Sequence, residues 1–192
     1  MPGISDQFRR ELLASIPSLR AFGISLTSRG DRADDLVQET LMKAWRHHQS
    51  FVAGTNMRAW LFTILRNEFY THLRKRKREV EDVDGQYSDK VSVTGNQESH
   101  IAMAELRLAL AKLPEDQREA IILVGASGFS YVEAAEICSC AVGTVKSRVN
   151  RARKRLAELL HLDIVLPDAQ AEGSAPDAPA LTQIRVAVEP NS

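Results

Sequence analysis

The chain has 192 residues, and 25 Lys plus Arg balance 25 Asp plus Glu to a formal net charge of zero. With 44% hydrophobic and 26% charged residues it has the composition of a soluble chain that buries one core or two small ones. No apolar run is long enough to span a bilayer, residues 1–6 lack the basic and apolar regions of a secretory signal, and Cys138 and Cys140 sit too close for a disulfide framework, so a reducing, cytoplasmic setting is expected.

The expected fold class is all-α, because no segment sustains the period-2 alternation of a strand. A first helix is predicted from about Asp6 to Thr27, interrupted at Pro17. A second starts near Asp31 and carries a continuous stripe of Ala33, Leu36, Val37, Thr40, Leu41, Ala44 and Trp45. On its opposite face lie Asp34, Asp35, Gln38, Glu39 and Met42. Asp35 and Glu39 are like charges four residues apart, which costs an isolated helix a few tenths of a kcal/mol. A basic partner surface would offset that cost. A third helix, from about Asn56, turns Trp60, Leu61, Ile64, Leu65 and Leu73 inward, and both tryptophans are expected in the core.

Residues 81–98 are acidic and poor in apolar side chains, and read as a flexible linker between a domain over 1–80 and a second over 99–162. Leu113-Pro114-Glu115-Asp116 predicts a helix start with proline at the first helical position. Gly128-Phe129-Ser130-Tyr131-Val132-Glu133 contains a capping box, Ser130 with Glu133, opening a short small-residue helix. Cys138-Ser139-Cys140-Ala141 forms the turn, and a second helix runs from Val142 to about Leu160. Val145, Val149, Ala152, Leu156 and Leu159 face inward there, while Lys146, Ser147, Asn150, Arg151 and Lys154 face outward. Ala141 stands where Ser or Thr would cap this second helix, so its start is expected to fray. A small-residue helix, a tight turn and a basic helix together describe a helix-turn-helix that reads the major groove. Residues 163–192 are acidic and proline-bearing, and read as a tail of low order.

The zero total hides segregated charge. Residues 58–78 carry seven cations against Glu68, a net +6, and residues 142–162 a net +5, whereas the segments that follow each island are acidic. The five histidines, His47, His48, His72, His100 and His161, show no metal-ligand spacing, and no cofactor, metal or catalytic motif is expected. An enzymatic activity is therefore not expected.

The segment GFSYVEAAEICSCAVGTVKSRVNRARKRL resembles region 4 of extracytoplasmic-function sigma factors, and DRADDLVQETLMKAW with NMRAWLFTILRNEFYTHLRKRKRE resembles their region 2. LVGASGFSYVEAAEIC and GTNMRAWLFTILRNEFY look like the alphaproteobacterial general-stress-response group of that family. The resemblance implies a subunit that binds core RNA polymerase, at the clamp helices of the largest subunit and the flap of the second-largest, and directs it to promoter DNA. Asp34, Asp35, Gln38, Glu39 and Met42 would meet the clamp helices. Arg66, Asn67, Tyr70, Arg74, Lys75, Arg76 and Lys77 would hold the −10 element, with an Asn amide suited to a flipped base edge and Phe62, Phe69 and Tyr70 as stacking candidates, Phe69 being expected in the core instead. Thr144, Lys146, Ser147, Arg148, Asn150, Arg151 and Lys154 would bind the −35 element. An anti-sigma protein is implied as a further partner. The alternative is a sigma-mimicking protein that titrates an anti-sigma factor; the two intact basic islands and the absence of a receiver domain after residue 162 count against it.

Overall fold

The computed structural model describes the backbone of residues 5–81 and 98–161 and the side chains of 5–78 and 103–161. The interior of the acidic linker and the tail over 163–192 lie outside the described residues. No strand occurs among the described residues, and no helix of theirs is long and apolar enough to cross a membrane.

Ser5 starts α1 (Asp6–Thr27) by accepting the Phe8 N–H on its hydroxyl at 3.2 Å. Pro17 does not interrupt this helix. The lost N–H deprives the carbonyl of Leu13, and Leu13 lies on the exposed side of the helix, while Leu12, Leu19, Phe22 and Leu26 hold the helix from its buried side. Ser28 ends it in the left-handed region at φ 57°, its N–H reaching the Ile24 carbonyl at 2.8 Å. The chain then enters α2 (Gly30–Arg46), whose buried residues are Ala33, Leu36, Val37, Thr40 and Ala44. Thr40 satisfies its buried hydroxyl on the Leu36 carbonyl at 2.7 Å. α1 and α2 approach closely at Gly23, where a Cβ would meet the Ala33 Cβ at 3.3 Å.

α3 (Met57–Glu81) completes the first unit. Its buried residues are Met57, Leu61, Phe62, Leu65, Glu68 and Phe69, and the Phe62 ring stacks on Phe22 of α1 with centroids 4.8 Å apart. Two sequence expectations change here. Trp45 is 43% exposed, with the Arg9 guanidinium 5.7 Å above its ring, because helical rotation puts it at the edge of the stripe, about 100° round from the fully buried Ala44. Phe62 is fully buried and is unavailable to stack on a base. Phe8, Phe51 and Trp60 form a separate aromatic cluster that seats the 47–56 connection on α1.

The second unit contains α4 (Glu98–Ala111), α5 (Glu115–Ile121), the start of α6 (Tyr131–Cys138) and α7 (Val142–Leu160). Ala109 and Leu113 pack with Ala152 and Leu156, flanked by Leu110, Ile121, Leu159 and Leu160. Pro114 occupies the N-cap of α5 rather than its first helical position, its carbonyl accepting from Gln117 and Arg118. α5 widens into a π turn over Ile122–Ala126, which Ser127 closes onto the Ile122 carbonyl at 2.8 Å. Gly128 then adopts φ +71°, with open space where a Cβ would stand. Gly128→Ala is expected to lower stability by about 1 kcal/mol through backbone strain alone. In chemical denaturation this would read as a lower midpoint at unchanged slope.

Candidate nucleic-acid interface

The helix-turn-helix is built by local hydrogen bonds that its sequence anticipates. The Ser130 N–H donates to Glu133 Oε2 at 2.9 Å, and the Glu133 N–H donates to Ser130 Oγ at 3.2 Å, so the capping box at the start of α6 is closed. Ser139 takes the left-handed conformation at φ 51°, and the Cys140 N–H reaches the Ala135 carbonyl at 3.0 Å. Ala141 is the N-cap of α7 in extended conformation and gives no side-chain cap.

On α7, Val145, Val149, Ala152 and Leu156 are buried. At about 100° per residue this puts Lys146, Asn150, Arg151 and Lys154 on the far side, and all four are exposed. Ser147 is half-buried and donates to the Thr144 carbonyl at 2.9 Å, which leaves its oxygen able to accept. The Lys146 ammonium stands 5.7 Å from the Tyr131 ring of α6. Arg148 lies at the edge of the buried side, and its Nε is 3.1 Å from Asp116 Oδ2 on α5. Thr144, at the same edge, is half-buried.

On α3, helical rotation keeps Arg66, Asn67, Tyr70, Arg74 and Lys77 within a sector of about 100°, and turns Lys75 and Arg76 away from it. Asn67 is exposed, Arg66 is half-buried with its guanidinium 4.7 Å over the Tyr70 ring, and Phe69 is buried beside Tyr70. This sector combines a planar cation, an amide, an aromatic face and two further cations, the set of groups that holds unstacked bases on a phosphate backbone.

On α2 the polar face is divided. Asp34 is held by Arg20 of α1 through two hydrogen bonds of 2.6 and 3.2 Å, which keep its carboxyl below the ordinary carboxylate range. Asp31 is lowered further, to about 2, by its hydrogen bond to Arg29. Glu39 pairs with His72 Nε2 of α3 at 2.9 Å. Asp35 and Gln38 are exposed, and Met42 is 47% exposed. Sequence spacing missed one cluster here: Glu39, Glu68 and His72 bring ligand atoms within 4.8 Å of one another. The Lys43 ammonium neutralises the buried Glu68, so these groups form a mixed-charge network clamping α2 to α3. Only the contact between helices reveals it.

Comparison with known proteins places both units. The Sigma-70 region 2 model matches residues 13–79, and the Sigma-70, region 4 model matches residues 103–156. The chain is 59% identical over 160 residues to the ECF RNA polymerase sigma factor EcfG of Rhodopseudomonas palustris, covering 83% of this chain and 88% of that one. Among solved structures it is similar to the sigma factor RpoE in complex with the anti-sigma factor NepR from Bartonella quintana, at 57% identity and TM-score 0.78, over 83% of this chain and all of that one. It is also similar to CnrH in complex with the cytosolic domain of CnrY, at 26% identity and TM-score 0.62, over 84% and 92% of the two chains. The two regions in this order, with a relative this similar along most of both chains, show that the chain belongs to the extracytoplasmic-function sigma factors of the sigma-70 family and is an alternative sigma factor of the EcfG-like group.

Proposed function

We propose that this sigma factor binds core RNA polymerase through the exposed face of α2 and directs it to stress-response promoters in the cytoplasm. Asp35, Gln38, Glu39 and Met42 meet the clamp helices of the largest subunit, with Asp34 at the edge of that patch already engaged by Arg20. Arg66, Asn67, Tyr70, Arg74 and Lys77 hold the −10 element, with Lys75 and Arg76 adding phosphate contacts on the flanks. Thr144, Lys146, Ser147, Asn150, Arg151 and Lys154 hold the −35 element, whereas Arg148, expected among them, is engaged by Asp116. The second unit also meets the flap of the second-largest subunit, and an anti-sigma protein of the kind seen with RpoE and CnrH holds the factor inactive.

The observation that supports this reading best is the exposed cationic and amide face of α7, presented behind a closed capping box. Run-off transcription with core enzyme on a promoter library tests it. The expected result is transcripts from a defined subset of promoters, suppressed when the anti-sigma protein is added. A chain that binds the anti-sigma protein yet supports no transcription would instead be a sigma mimic.

A further inference from the structure

The sequence gives α7 six cations, Lys146, Arg148, Arg151, Arg153, Lys154 and Arg155, which on a bare helix would all be available to phosphate. The fold does not leave them equal. Lys146, Arg151 and Lys154 are exposed, whereas the Arg148 side chain is only 23% exposed. Its Nε sits 3.1 Å from Asp116 Oδ2, and its Nη1 is 3.8 Å from the Cys140 sulfur in the turn. Asp116 lies in the first turn of α5, the helix that packs beside α7, and its side chain is 46% exposed.

We propose that Asp116 is a positioning and specificity-determining residue for DNA recognition, acting through Arg148. This rests on the reading of α7 as the −35 helix. The Asp116 carboxylate withdraws one guanidinium from the phosphates and sets a negative charge beside the reading face. Both effects weaken binding to any sequence. Lys146, Asn150 and Lys154, which point away from the pair, keep their reach to base edges. Withdrawing a phosphate contact lowers specific and non-specific affinity by about the same factor, so the effect on specificity comes from how the pair holds the reading face of α7. The pair also ties α5 to both the turn and the second turn of α7, which fixes the rotation of α7 about its axis.

Salt dependence provides the test, because each phosphate contact contributes about 0.9 to the slope of log K against log salt. The full chain is titrated with two short duplexes, one carrying the −35 element recovered from the promoter library and one with that element scrambled. Asp116→Asn is expected to steepen the slope by about 0.9, raise affinity for the scrambled duplex several-fold, and lower the preference between the two. Arg148→Ala in the native background is expected to leave the slope unchanged. Combining Arg148→Ala with Asp116→Asn is expected to return the slope to the native value, and Asp116→Glu to preserve native behaviour. A purely structural role would not steepen the slope, and thermal melts of each variant separate unfolding from altered binding. An unchanged slope in Asp116→Asn overturns the inference, as does a slope flattened by about 0.9 in Arg148→Ala alone. Equal affinity of the native chain for both duplexes would instead overturn the −35 reading itself, and the inference with it.

Discussion

Asp35→Arg combined with Glu39→Arg is expected to weaken binding to core RNA polymerase by a hundredfold or more. Two charges on one helix face change sign, and like charges brought together across an interface cost several kcal/mol, of which about 3 kcal/mol already gives that factor. Asp35 is exposed, so its replacement leaves the core of α1, α2 and α3 intact. Glu39 is different. Its carboxylate pairs with His72, and an arginine there would face both His72 and the Lys43 that neutralises Glu68. Asp35→Arg alone keeps that network and is expected to cost about tenfold. Affinity is read from the anisotropy of labelled sigma factor titrated with core enzyme, with a thermal melt alongside. Native affinity in the folded double variant would end the assignment of this face to the clamp helices.

Lys146→Ala and Asn150→Ala are each expected to lower transcription from the cognate promoter by about tenfold while core binding stays native. A well-placed side chain on a base edge contributes about 1–3 kcal/mol of discrimination. Both residues are exposed, and loss of the Asn150 side chain is expected to change stability by no more than about 0.5 kcal/mol. Lys146 also gives up its place beside the Tyr131 ring, an exposed cation–π contact of about 0.5–1 kcal/mol. Run-off transcription beside a core pull-down separates the two activities. Native transcript levels from both variants would remove α7 from promoter reading.

The helical units were legible because their signals are local. The stripe on α2, the capping box of Ser130 and Glu133, the turn before Ala141 and the buried series Val145, Val149, Ala152 and Leu156 all follow from spacings within a few residues. Where sequence reasoning departed from the structure, the cause was packing. Pro17 was expected to interrupt α1, but its helix continues because its buried side is held by tertiary contacts and the lost hydrogen bond lies on its exposed side. Trp45 belongs to an apolar stripe, yet it stands at the stripe's edge, and packing covers the neighbouring Ala44 but not its ring. Phe62 shares α3 with Arg66, Asn67 and Tyr70, but stacking on Phe22 claims its ring.

The charge balance follows the same division. The sequence by itself determined that cations gather on two helices and that a polar face opposes the core stripe of α2, because helical periodicity converts spacing into faces. Which of those charges remain for a partner was decided only by the tertiary structure. Arg20 engages Asp34, His72 engages Glu39, Lys43 engages Glu68 and Asp116 engages Arg148, each pair joining two helices. Such pairs depend on how neighbouring helices are rotated and spaced when their apolar faces meet. That geometry is a property of the packed core, and no spacing along one helix encodes it.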